Sequence, residues 1–88
     1  MATKKLAETI SRELRKAETY IKNTMEQQRG TMHYIVALTE EPGEVLITRQ
    51  MSEEQIAEAA AAAVSEVFPG KKVSNVYQYN IFVEFTIS

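Results

Sequence analysis

The C-terminal stretch KVSNVYQYNIFVEFTIS (residues 72–88) alternates between apolar and polar side chains over a length unusual for one strand. Val73, Tyr77, Tyr79, Ile81, Val83, Phe85 and Ile87 share one parity. Lys72, Ser74, Gln78, Asn80, Glu84 and Thr86 share the other, with Val76 and Phe82 as apolar exceptions. Alternation of period two marks a half-buried strand, because successive side chains of extended backbone point to opposite faces. Extended backbone over residues 73–87 would span about 50 Å. A long C-terminal strand over 72–88 is therefore expected to bend or bulge near Tyr77 to Asn80, or to overhang into an assembly.

Upstream, residues 52–68 read as an alanine-rich helix. Ser52 is placed to cap it, with Gln55 three residues on to complete a capping box and Met51 and Ile56 spaced as a hydrophobic staple. Glu53 and Glu54 suit the positive helix end, and Ala57 and Ala59 to Ala63 have high helix propensity. Ile56, Ala60, Ala63, Val64 and Val67 form the inward stripe, and Phe68-Pro69-Gly70 ends the helix. Residues 31–50 read as a β-hairpin: strands at 31–39 and 44–50, rich in β-branched and aromatic side chains, joined by Pro42-Gly43 in a type II turn. The first of these strands is apolar on both faces, with Met32, Tyr34, Val36 and Leu38 against Ile35 and Ala37, as expected of a strand inside a sheet. Residues 1–29 carry Leu6, Ile10, Leu14, Ala17, Ile21 and Met25 at helical spacing. Glu8–Arg12 and Glu18–Lys22 are i,i+4 pairs on the polar side. One amphipathic helix about 40 Å long is expected, stopped at Gly30.

Short connections then define the expectation for the whole chain. It is a single α+β domain over residues 1–88, a two-layer sandwich of order αββαβ. The sheet is three-stranded and mixed, in the order 2-1-3, with the last strand antiparallel to the first and parallel to the second. Two helices cover one of its faces.

The composition bounds the chemistry. The chain has 88 residues, 44% of them hydrophobic and 25% charged, which is ordinary for a small globular domain. With no cysteine, disulfides, thiolate nucleophiles, iron–sulfur clusters and cysteine zinc sites are excluded. All 12 acidic residues are glutamate, so no Ser-His-Asp triad can form, and the single histidine, His33, rules out His-rich metal sites within one chain. Three isolated glycines cannot make a phosphate loop. No cofactor and no catalysis are expected. No apolar run approaches the roughly 18 residues of a membrane span, and the N-terminal segment lacks the apolar stretch of a secretory signal. A cytoplasmic protein with no membrane partner is expected. The net charge of −2 is uneven. Residues 1–29 hold seven basic and four acidic side chains, whereas residues 30–88 hold three basic and eight acidic.

Candidate functional residues follow from sheet parity. If Tyr34 and Val36 face the helices, then His33, Ile35, Ala37 and Phe82 face away, joined by part of Val45, Leu46 and Ile47. Outward apolar patches of this kind mark interaction surfaces. His33, Ile35, Leu46 and Phe82 are accordingly interface candidates; Tyr77 and Tyr79, whose odd numbers would turn them toward the helices, join them as aromatics of a type common in cores and interfaces. The leading expectation is a small non-catalytic interaction domain, a homodimer or higher oligomer that acts by binding a larger protein of unknown identity. In size and style it resembles the small acidic inhibitor and accessory proteins of phages and mobile elements.

The alternative is a nucleic-acid or nucleotide-binding module. It would use Lys5, Arg12, Arg15 and Lys16 on the first helix with the aromatics of the last strand. Phe82-Val83-Glu84-Phe85 resembles the tail of the RNP1 motif of RNA-recognition domains, whose sheet aromatics stack bases. The motif's glycine and its earlier aromatic are missing, with Tyr79 and Asn80 in their places, and the segment lies on the last strand. The glutamates that interrupt the basic face weigh against nucleic acid. Glu40, Glu41 and Glu44 crowd the expected turn and could meet a cation or a basic partner. An enzyme working through His33 and a glutamate is the remaining reading.

Overall fold

The computed structural model describes residues 2–38 and 42–88; residues 39–41 and the side chains of Ala2, Pro42, Glu44, Leu46 and Ile47 lie outside the described residues. Seven elements follow one another: α1 (Ala2–Lys16), α2 (Glu18–Gln27), β1 (Met32–Ala37), α3 (Pro42–Arg49), α4 (Glu53–Val67), β2 (Val73–Tyr79) and β3 (Phe82–Ile87).

The N-terminal stripe is helical but broken. Ala17 leaves the helical region at φ −111°, ψ 18°, and α1 hands over to α2 there. The apolar stripe survives the break, since Leu6, Ile10, Leu14, Ile21 and Met25 are all buried. An unbroken helix of about 40 Å would overrun a molecule whose longest extent is 35 Å. The break lets both halves of the stripe reach one core. The chain leaves α2 through Arg29 at φ 59° and Gly30 at φ 90°, and the Gly30 amide returns to the Met25 carbonyl at 2.6 Å. That is the six-to-one bond of a Schellman ending.

The alanine-rich helix forms as its caps require. Ser52 Oγ accepts from the Gln55 amide at 3.1 Å, and the Ser52 amide donates to Gln55 Oε1 at 2.9 Å. Ile56, Ala59, Ala60, Ala63, Val64 and Val67 are buried. α4 lies along α1 on one side and β2 on the other. The alanine side chains allow the two helices to approach closely, with Leu6, Ile10 and Leu14 filling the seam.

The expected hairpin over 31–50 does not form. Its first strand is β1, but residues 42–49 are helical, and the segment 44–50 contributes no strand. Pro42 takes the first helical position, where its missing N–H leaves no intrahelical bond unmade. Val45 packs on the core and Thr48, one turn on, is buried, so a helical spacing serves this run. The β-propensity of Val45, Leu46 and Ile47 is a weak preference that tertiary context overrides. Arg49 Nη2 then reaches the Asn80 carbonyl at 3.4 Å, joining the end of α3 to the C-terminal turn.

The third strand comes from the C-terminal stretch instead. Residues 72–88 fold back as a hairpin rather than running as one long strand, turning at Asn80-Ile81 with Asn80 at φ 52°. β3 pairs antiparallel with β1 from Met32↔Ile87 to Ala37↔Phe82, and antiparallel with β2. The antiparallel pairing of the first and last strands agrees with expectation. The sheet is antiparallel throughout, not mixed, and runs in the order β1-β3-β2. The helices supply the apolar layer over its inner face, where Val36, Val83, Phe85 and Ile87 are fully buried.

One irregularity matters for the surface. Ser74 faces Thr86 and Tyr77 faces Glu84, so Asn75 and Val76 together oppose Phe85 alone. Asn75, at φ 52°, is the extra residue of this β-bulge. The bulge lies upstream of the expected Tyr77 to Asn80 region. It shifts the parity of the strand. Val73 packs on the core, as does Val76 beyond it, and Tyr77 and Tyr79 are turned to the opposite face from Phe85 despite sharing its odd number.

Candidate interaction surface

Three cross-strand rows make up the face of the sheet turned away from the helices. Ala37, Phe82 and Tyr79 form the row next to the hairpin turn; Ile35, Glu84 and Tyr77 form the middle row; His33, Thr86 and Ser74 form the last. Side chains directly opposite on neighbouring strands lie close enough to touch. Tyr79 and Phe82 do so, with ring centroids 5.7 Å apart at 50°.

Most of the interface candidates meet here. Ile35 is 47% exposed, Tyr77 57% and Tyr79 45%, values that single them out from the buried aromatics and aliphatics of the inner face. Phe82 is half-buried and His33 exposed. Leu46 does not join them: it sits in α3 rather than on a strand, and its side chain lies outside the described residues. The carboxylate group of Glu40, Glu41 and Glu44 also falls outside the described residues.

Parity did not single out Glu84, the residue at the middle of the face. Its nearest sequence signal is isolation, since it is the only acidic residue after Glu66. His33 Nε2 lies 3.1 Å from Glu84 Oε2, and His33 Nδ1 lies 3.3 Å from Thr86 Oγ1. The Tyr79 hydroxyl donates to the same Glu84 oxygen at 3.5 Å. Residues 33, 79 and 84 come from three different strands, so only the register brings them together. The Glu84 side chain is 21% exposed against 50% for His33, which makes the carboxylate the more enclosed member of the pair.

On the opposite face one tyrosine is handled differently. Tyr34 points inward and meets Phe85 at 6.4 Å between ring centroids. Burial raises its pKa above the ordinary 10.0, with the Glu13 carboxylate and Tyr20 adding to the rise.

The basic side chains of α1 are drawn into ion pairs. Arg15 lies 3.7 Å from Glu66, Lys16 3.0 Å from Glu13, and Arg12 4.0 Å from Glu13. Ser11 also donates to Glu66, at 3.0 Å. Lys5 is exposed nearer the N-terminus and has its own contact. Glutamates of α1 and α4 thus neutralise much of this field. The cations also belong to the helical layer, whereas Tyr77 and Tyr79 stand on the far side of the sheet.

A separate hollow of about 730 Å³ lies between the ends of α2 and α4, lined by Lys22, Met25, Arg29, Phe68 and Lys71 among others. Lys71 Nζ donates to the Gly30 carbonyl there at 3.2 Å, and Lys22 pairs with Glu18 at 3.3 Å. Lys71 thus sets a cation beside the C-terminal end of α2, the negative end of its dipole. Among the described residues no group of three or more histidine or glutamate side chains is placed to hold a metal ion, and no helix is long and apolar enough to cross a membrane. Comparison with protein-family models, curated proteins and solved structures finds no match for this chain.

Proposed function

We propose that this chain is a small non-catalytic interaction domain that acts by seating its open sheet face on a larger protein. The observation that carries this reading is the gathering of Ile35, Tyr77, Tyr79 and Phe82 on a sheet face that the helices do not cover. Tyrosine and phenylalanine are enriched at protein interfaces, where a rigid ring buries much area at little entropic cost. These four side chains stand outside the core, which lies on the inner face.

Self-association is the other use of such a face, and one experiment reads both. Light scattering on a sizing column, at two salt concentrations, is run on the wild type and on Phe82→Glu. A wild-type monomer leaves the face for a different protein. Retention of a partner from a source extract by the wild type but not by Phe82→Glu, with unchanged melting of both, supports the proposal. Equal retention by both proteins overturns the assignment to this face. A wild-type oligomer dissociated by Phe82→Glu transfers the face to self-assembly.

The nucleic-acid alternative has less support. Base stacking on sheet aromatics works beside cations that track the phosphates, and the charged residue among these aromatics is Glu84.

A further inference from the structure

Glu84 narrows what can sit on the open face. It is the only carboxylate in the three rows, and they contain no lysine or arginine. His33 and Tyr79 both bond to its Oε2, so Oε1 carries no bond from a described residue. Directly beside it stand Ile35 and Tyr77. Any partner that covers those apolar side chains also removes water from the carboxylate. Desolvating a charge is strongly unfavourable unless the partner supplies a donor or an opposite charge.

A second copy of the chain meets this requirement poorly. An isologous contact brings two copies of the same patch together. With its two-fold axis through the middle row, it would set two Glu84 carboxylates close in a dry interface, with His33 of each already engaged by its own Glu84. A phosphate backbone would add negative charge beside the carboxylate. A guanidinium satisfies it: the group is planar, always charged, able to donate to a carboxylate oxygen and to stack on a tyrosine ring at the same time.

We propose that the open face receives an arginine presented among apolar side chains of a different protein, the guanidinium donating to Glu84 Oε1 and stacking on Tyr77 or Tyr79. This rests on the docking function proposed above and adds the chemistry of the partner. Arginine anchors of this kind, ringed by apolar contacts that exclude water, are common hot spots.

The test uses the full chain and a displayed library of random peptides. Peptides that bind the wild type are titrated against the wild type, Glu84→Gln and Tyr77→Ser/Tyr79→Ser, and resynthesised with citrulline in place of arginine. The expected result is enrichment of peptides with arginine between apolar residues. Their binding should weaken about tenfold or more with Glu84→Gln, and equally with citrulline, as for loss of a charge-assisted hydrogen bond. The citrulline arm needs no protein variant, so it decides the matter even if Glu84→Gln folds poorly. Peptides that depend on the tyrosines but not on arginine or Glu84 overturn this inference and leave the docking function standing. Peptides indifferent to both the tyrosines and Glu84 overturn both. A wild-type dimer broken by Phe82→Glu, or oligothymidine binding that competes with the peptides, overturns the arginine assignment in favour of those occupants.

Discussion

The two faces of the sheet are built from the same three strands and both carry aromatic side chains, yet they differ sharply in burial. On the inner face Val36, Val83, Phe85 and Ile87 are fully buried against the helices. On the outer face Ile35, Tyr77 and Tyr79 are about half exposed and surround a carboxylate–histidine pair. An apolar side chain buried in a folded core contributes about 1.5–3 kcal/mol relative to an exposed one. The inner face therefore supplies stability, and the outer face is the one proposed to meet a partner.

That division can be broken most sharply at Phe85. Phe85→Ala should cost about 3–5 kcal/mol, the range for emptying a buried aromatic site, measured by urea denaturation. A loss comparable to that of an outer-face substitution would mean the core does not centre on the inner face.

The bulge that sorts side chains between the faces comes next. Asn75 occupies the left-handed region at φ 52°, which a β-branched residue adopts only under strain. Asn75→Val should cost about 1–2 kcal/mol, whereas Asn75→Gly should be close to neutral. Equal effects of the two would place the cost somewhere other than the backbone conformation.

A pH dependence is expected from the inner face, at Tyr34. The Tyr34 pKa is raised in the folded chain above the ordinary 10.0. The neutral phenol is the form that folding favours. The stability it contributes is complete below pH 10.0 and is lost as pH rises through the higher folded value. Tyr34→Phe should flatten the fall in melting temperature above that pH. A melting profile that keeps its alkaline slope in Tyr34→Phe would assign the slope to other groups.

The smallest effect is expected on the outer face itself. Tyr77→Thr keeps a strand-forming residue and should change stability by no more than about 0.5 kcal/mol, while weakening any partner that depends on the face. A large loss of stability in Tyr77→Thr would show that this face is needed for folding.

Legibility in the sequence tracked how local the deciding contacts are. The capping box at Ser52 and Gln55, the inward stripe of α4 and the alternation of 82–87 depend on neighbours within a few residues, and all could be read directly. The outward placement of His33, Ile35 and Phe82 followed from strand parity. Residues 44–50 misled because three adjacent apolar side chains suit a strand as well as a short helix, and only the packing of Val45 and Thr48 distinguishes the two. Tyr77 and Tyr79 share odd numbering with Phe85, and one extra residue at Asn75 reverses their direction. Glu84 was passed over because its partners, His33 and Tyr79, lie on the two strands that flank its own.

Side-chain pattern alone specifies an α+β chain with a capped alanine-rich helix, an amphipathic N-terminal segment and extended backbone at its C-terminal end. These are consequences of side-chain periodicity and of caps that act over one turn. Tertiary structure alone decided that the N-terminal helix breaks at Ala17, that 42–49 is helical, and that 72–88 turns back at Asn80 to place β3 between its neighbours. Each of those choices depends on fitting a shared core within a 35 Å molecule. The free-energy differences between the local alternatives are small beside the burial that the final packing achieves.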